Sequence, residues 1–378
     1  MQTIPCQRDR FAIPADVHYL NCAYMSPLSH RVSAAISEGA RRKEAPWEYR
    51  PADFFSICED FRGRAARLTG AGADTIAIVP SVSYGLAVAA RNLPFGSGQE
   101  VVTLADQFPS NIYVWQDLAR RKGGSVVTVQ RDAGAAWSEA VLDAIGPDTG
   151  IVAVPHCHWA DGRVVDLEAV GKKCRSVGAA LVLDLTQSLG AMPIDFKAVQ
   201  PDFAVAACYK WLMGPYGIGM LYVDPRHHVG EPIEHNWINR GGSEDFTRLV
   251  DYRDDFQPGA RRFDMGEKSN PPLLQGASAA LDFLLEFGVE GIAHSLGLAT
   301  EAIAKEAASL GLIAAPIGTR AAHFLSLGFP DGVPTGLTER LAERQVFVSL
   351  RGSSLRVTPH LYNNDADREA LIATLRGG

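Results

Sequence analysis

The chain predicts an α/β fold built on a mostly parallel sheet with helices on both faces. Seven apolar, β-branched runs recur along it: 75–80 (TIAIVP), 100–105 (EVVTLA), 125–130 (SVVTVQ), 150–155 (GIVAVP), 180–185 (ALVLDL), 203–208 (FAVAAC) and 218–223 (IGMLYV). Runs this continuous suit strands buried on both faces rather than one. The stretches between them, such as DLEAVGKKCRSVGA, have helical spacing, so strand and helix alternate as in a doubly covered sheet. In such sheets ligands sit beyond the carboxyl ends of the strands. Asp184 and the Ser81-Val82-Ser83 turn fall at two of those ends, and Lys210 lies just past a third.

Taken in order, residues 1–20 read as an N-terminal segment, 21–260 as the large domain and 261–378 as a smaller α+β domain. Between about 226 and 272 the strand–helix pattern dissolves into a polar, aromatic, Arg-rich loop region, and a loop this long inside a domain points to a functional or interface role. Two helical stretches follow, LLQGASAALDFLLEFG and GIAHSLGLATEAIAKEAASLG. Short strands are then predicted in HFLSLGF, VFVSL and SLRVTP, with a last helix from about Asp365.

With 378 residues, 47% of them hydrophobic and 21% charged, the composition is that of a globular protein with one large core and a smaller one. A net charge of −7 argues against nucleic acid as a partner, because phosphate binding needs concentrated positive surface. The clusters at 41–43 and 119–122 read as solvated helix faces. Six cysteines, at 6, 22, 58, 157, 174 and 208, form no CxxC pair, so neither a disulfide framework nor a zinc site is expected. His156-Cys157-His158 is not read as a metal site: on a strand the two histidines share a face, but no second ligand cluster follows at a familiar spacing. The first residues lack the apolar stretch of a signal peptide and no run approaches a membrane span, so a cytoplasmic location without membrane contact is expected.

Asp184 and Lys210 carry the most chemistry. Singly, an acid at a strand end often caps the next helix, and a lysine before a tryptophan often packs its stem on the ring. Together around one ligand they gain a different meaning: the amine can form an imine with an aldehyde while the carboxylate holds a proton on a ring nitrogen, as pyridoxal phosphate requires. Their neighbours sharpen this reading, with Gln187 in DLTQSLG and Tyr209 beside the lysine in CYKWLMGPYGIG.

The stretch from Ala179 to Asp224 resembles the class V aminotransferase family of fold-type-I pyridoxal 5'-phosphate enzymes, which includes cysteine desulfurases, kynureninase and isopenicillin N epimerase. The likeness runs from YLNCAYMSPLS near the start to LRVTPHLYNNDAD near the end, and its motifs lie nearest the kynureninase and epimerase-like branch. It implies that Lys210 is the catalytic lysine, that Asp184 faces the pyridine nitrogen and that Gln187 donates to the phenolic oxygen. Ser81, Val82 and Ser83, opening the helix YGLAVAARNL, match the phosphate-binding turn, where free N–H groups and the helix dipole favour an anion. Tyr209 resembles the kynureninase tyrosine that reaches the same phosphate. Phe108 stands where cysteine desulfurases stack a histidine on the ring, and His158 replaces a family asparagine near the phenolic oxygen. Arg356 matches the arginine that pairs with the substrate α-carboxylate, with Arg351 as second choice. Asn21 and Ala23 match the segment lining the substrate pocket. The resemblance also implies a homodimer in which Ser269 or Asn270 reaches the partner's phosphate.

In one respect the chain departs from the desulfurases: QVFVSLRGSSLRV, where their nucleophilic cysteine lies, contains none, which disfavours persulfide transfer. Amino transfer on a small α-amino acid is the first reading. Kynureninase-like C–C or C–S cleavage and epimerisation use the same core residues and stand as alternatives. A non-catalytic scaffold has no use for an imine-forming lysine opposite a buried acid. A dinucleotide-dependent dehydrogenase is excluded by the absence of G-x-G-x-x-G after any early strand.

Overall fold

In the computed structural model, which describes residues 1–131 and 136–377, all seven predicted runs form strands of a single sheet. After a two-residue strand β1 (His18–Tyr19) and helices α1 (His30–Arg41) and α2 (Asp53–Thr69), the sheet strands are β2 (Ile76–Val79), β3 (Glu100–Leu104), β4 (Ser125–Val129), β5 (Thr149–Pro155), β6 (Ala180–Asp184), β7 (Phe203–Ala207) and β8 (Gly219–Val223). They lie in the order β2-β8-β7-β6-β5-β3-β4. Only β8 is antiparallel to its neighbours, so six strands present their carboxyl ends on one edge of the sheet. The helices interleaved with these strands are α3 (Val82–Asn92), α4 (Ser110–Lys122), α5 (Trp137–Ala144), α6 (Leu167–Val177) and the single turn α7 (Phe196–Val199).

Side chains of alternate strand residues enter two separate cores, as the period of a strand requires. Val182, Val205 and Leu221 pack with α3 and α4 on one face. Leu181, Leu183, Ala204 and Met220 join the larger cluster on the other. Gly85 lets α3 approach the sheet closely, since a Cβ there would lie 2.7 Å from Val205 Cγ2. That close approach fixes where the amino end of α3 points.

Helices α8 (Pro271–Phe287) and α9 (Val289–Ala308) follow, and α8 packs on α1 and α2. The smaller sheet has the order β12-β13-β10-β9, from β9 (Ile313–Ala314), β10 (Leu325–Gly328), β12 (Ser349–Arg351) and β13 (Ser354–Val357), while β11 (Val346–Phe347) pairs in parallel with β1. Its core gathers Leu20 with Ile303, Leu325, Leu341, Leu355 and Leu371, under α10 (Leu337–Glu343) and α11 (Asp365–Arg376).

Among the described residues the 226–272 region holds no strand, only short 3-10 turns until α8 opens at Pro271, and one buried polar knot anchors it. Asp264 accepts from the Ile78 amide at 2.7 Å and from Lys268 Nζ at 2.8 Å, and it pairs with the fully buried Arg62. Two cations hold the Asp264 carboxyl below its ordinary range although burial opposes this. Removing one member would leave a buried charge uncompensated.

Candidate functional site

A cavity of about 280 Å³ opens at the carboxyl edge of the large sheet. Its walls come from strand ends and the turns that follow them: Pro80 after β2, Pro155 ending β5, Asp184 ending β6, Ala207 ending β7 and Ile218 entering β8. Of the predicted site residues, Ser81, Val82, Ser83, Phe108, Asp184, Gln187, Tyr209 and Lys210 all line this one cavity.

Lys210 sits in the turn that reverses β7 into β8. Its carbonyl accepts from the Met213 amide at 3.0 Å, Gly214 N–H returns to the Cys208 carbonyl at 2.8 Å, and Gly217 supplies the positive φ of 87° needed to re-enter the sheet. Its Nζ lies 5.4 Å from the centroids of both the Phe108 and Tyr209 rings. Burial, opposed by Asp184 and assisted by the charges of Arg356 and Arg351, lowers its pKa from 10.5 to about 8. The amine is therefore partly neutral near physiological pH, as a nucleophile must be.

Asp184 is 8% exposed and accepts from the Thr186 amide at 3.0 Å. Burial raises its pKa, against the hydrogen bonds from Thr186 and the Lys210 charge. A carboxylate so placed is short of positive partners. Gln187 is fixed on three sides. Trp211 Nε1 donates to its Oε1 at 2.9 Å, its own Nε2 donates to the Ala23 carbonyl at 3.1 Å, and its backbone carbonyl meets His323 Nε2 at 2.7 Å. Because an indole N–H only donates, the amide orientation is determined and Nε2 is left with one further hydrogen to give.

The amino end of α3 borders the same cavity. Ser81 Oγ accepts from the Tyr84 amide at 3.2 Å and lies 2.9 Å from Ser83 Oγ, while the amides of Val82 and Ser83 have no partner among the described residues. Free helix N–H groups of this kind receive anions. Gln107 adds a buried Nε2 without a partner, its Oε1 being occupied by the Phe108 amide at 2.7 Å. Phe108 meets Trp159 edge-on at 5.7 Å, and Tyr209 packs against Tyr216 at 4.6 Å.

The structure leaves His158 outside the cavity lining. β5 ends at Pro155, the strand alternation expected across His156–His158 stops with it, and a tight turn closes through Gly162 N–H to the His158 carbonyl at 2.8 Å. The imidazole is buried with Nε2 3.3 Å from the Ala105 carbonyl, Nδ1 3.5 Å from Asp161 and its ring against Trp137. Cys157 and Trp159 line the cavity in its stead.

Arg356 also stands just behind the lining rather than in it. It is 2% exposed, its Nη1 donates to the Trp159 carbonyl at 2.9 Å, and its Nε has no partner. Burial and the like charge of Arg351 lower its pKa to about 10. Asn21 and Ala23 are buried beside the cavity: Asn21 Oδ1 accepts from Ser349 Oγ at 2.9 Å, and Ala23 holds Gln187 through its carbonyl. Ser269 and Asn270 lie apart. Ser269 Oγ donates to the Phe54 carbonyl, Asn270 caps α8 through Leu273 N–H at 3.1 Å, and both line a second cavity with Arg42, Tyr49 and Trp237.

Four contributors escaped the sequence reading: Thr186, Gln107, Trp159 and Trp211. Trp211 had a visible signal, standing directly after the lysine. The other three are positioned by turns whose geometry no period in the sequence announces.

A buried primary amine, a buried acid short of cations, a helix amino end and an aromatic face at 5.4 Å from the amine fit pyridoxal 5'-phosphate. Comparison with known proteins agrees. An uncharacterized aminotransferase, YcbU, of Bacillus subtilis is 30% identical over 361 residues, covering 92% of this chain and 90% of its own. A kynureninase of Deinococcus radiodurans is 30% identical over 74% of this chain and 67% of its own. The fold matches an apo cysteine desulfurase of Thermococcus onnurineus with a TM-score of 0.87 at 20% identity, over 100% of this chain and 99% of that one. It matches a C-DES variant carrying glycine covalently linked to the pyridoxal phosphate cofactor with a TM-score of 0.86 at 20% identity, over 98% of each. The family model for aminotransferase class V covers residues 29–363, and the chain therefore belongs to the aminotransferase class V family, whose members work with pyridoxal 5'-phosphate.

Proposed function

We propose that the chain is an aminotransferase that moves the amino group of a small α-amino acid to a 2-oxo acid. The observation that supports this most is the buried amine of Lys210, drawn down to about 8, in one cavity with Asp184 and the amino end of α3. When bound, pyridoxal 5'-phosphate supplies an aldehyde carbon for amine capture and a ring that spreads negative charge away from the substrate Cα. Asp184 holds a proton at the ring nitrogen, relieving its own cost of burial. Gln187 Nε2 would donate to the phenolic oxygen, the amides of Val82 and Ser83 with their hydroxyl neighbours would bind the phosphate, and Phe108 would cover the ring face. Lys210 Nζ would take the proton from the substrate Cα and hold it for return, the proton movement that amino transfer needs. Arg356 clamps the α-carboxylate, fixing which Cα bond faces Lys210.

A kynureninase-like lyase is the second reading, supported by Phe108 in place of a proton-exchanging histidine and by Tyr209 beside the lysine. A homodimer belongs to the same proposal, with Ser269 or Asn270 delivered to a partner's phosphate from the second cavity. No described helix is long and apolar enough to cross a membrane, and the six cysteines are unpaired, as suits a reducing cytoplasm. The test is incubation of holoenzyme with single amino acids, with and without pyruvate or 2-oxoglutarate, and mass-spectrometric and chiral analysis of products. Oxo-acid formation that depends on an added acceptor is expected. Side-chain fragments or racemised substrate formed without an acceptor would replace amino transfer with cleavage or epimerisation.

A further inference from the structure

Arg351 and Arg356 share one face of the small sheet. In the β12–β13 hairpin Ser349 pairs with Arg356 and Arg351 with Ser354, so residues 349, 351, 354 and 356 all project to one side, and Leu350 and Leu355 to the other. The two-residue turn between them is closed by Gly352 at φ 58°. Both guanidinium groups converge on Trp159, a wall of the cavity: Arg356 donates to its carbonyl at 2.9 Å, and the Arg351 guanidinium lies 5.7 Å from its ring centroid.

Neither arginine forms an ion pair among the described residues, and the Nε of each is buried without a partner. Among the described residues the only carboxylate lining the cavity is Asp184, whose place is at the ring nitrogen in the reading above. Arg356 is buried and Arg351 half-buried, and two neighbouring cations so placed repel and are costly to keep unless an anion arrives for each. An α-carboxylate satisfies only one.

Resting on the amino-acid reading above, we infer that Arg351 forms a second anion subsite, so that the substrate carries an anionic group on its side chain in addition to its α-carboxylate. Arg356 takes the α-carboxylate, and Arg351, lying over the Trp159 ring, takes the side-chain anion through its planar fork. A dicarboxylic amino acid, or one with a terminal phosphate, has this chemistry.

The experiment uses wild-type and Arg351→Met holoenzymes, each first checked for the yellow colour of bound cofactor. Both are titrated with maleate, glutarate and propionate, following the cofactor's absorption. The wild type should bind the better dicarboxylate about 10- to 100-fold more tightly than propionate, and the variant should lower that ratio to about 3 or less. Equal weakening of all three ligands would mean that Arg351 shares the α-carboxylate with Arg356 and would overturn the inference, as would a wild type without preference. Should the methionine variant not fold, Arg351→Lys, which keeps the charge but loses the fork, must still reduce the ratio. Turnover of aspartate, glutamate and phosphoserine, each against alanine, then identifies the anion as carboxylate or phosphate, and alanine as the best substrate would refute the subsite. A colourless wild type would instead strike at the cofactor reading beneath it.

Discussion

Replacing Lys210 by methionine should stabilise the cofactor-free protein at neutral pH, because the native state keeps an ammonium where it is poorly solvated. The depression of its pKa from 10.5 to about 8 corresponds, at about 1.4 kcal/mol per pH unit, to about 3 kcal/mol against the charged form. The sign follows from proton counts. Between pH 8 and 10.5 the unfolded chain keeps a proton at Lys210 that the folded chain has lost, so the wild type gains stability as pH rises through that window. Below pH 8 the full penalty applies, and above 10.5 it is gone. Methionine has a similar length, carries no charge and suits a site between two aromatic rings. Urea denaturation of both apo-proteins at pH 7, 8, 9 and 10 measures the difference directly, since every other titrating group is common to the pair. The variant should lead by about 3 kcal/mol at pH 7, and the lead should shrink steadily toward pH 10. A difference that does not change with pH, or a wild type more stable at pH 7, would refute a desolvated, depressed Lys210.

Asp184→Asn should keep the yellow colour but lower turnover by about 100-fold or more, since an amide cannot hold the ring nitrogen's proton as a carboxylate does. Undiminished turnover would remove Asp184 from that role. Trp211→Phe deletes the only donor to Gln187 Oε1 among the described residues, and a buried acceptor left without a partner should cost about 1–3 kcal/mol of stability in thermal or urea melts. The same variant should shift the cofactor's absorption, because the amide is then free to turn, and an unchanged spectrum would show that Gln187 is held by Ala23 alone.

The large sheet was legible because burial on both faces writes itself as an unbroken apolar run, and each of the seven runs became a strand. The reversal of β8 was not, since a fully buried strand looks alike in either direction and only the short GPYGIG turn hints that no helix intervenes. At the site, side chains at strand ends were found because the fold class fixes that edge as the ligand edge. His158 came from the resemblance, and its place just behind the cavity wall was not legible because β5 ends at Pro155 and a turn follows, which no period in the sequence announces. Arg356 was proposed from the resemblance, but its place with Arg351 on one face depends on a hairpin register that a sequence spacing of five residues does not reveal.

The reversed strand has a consequence for how the protein is assembled. Because β7 turns directly into β8, with Ala207 opposite Gly219 and Cys208 N–H bonded to the Ile218 carbonyl at 3.0 Å, both ends of the lysine-bearing turn are riveted to neighbouring backbone. That clasp is made of backbone pairs within the chain. The lysine is thereby tied to the sheet by main-chain bonds on both sides, so its placement is set by the backbone rather than by the side chains around it.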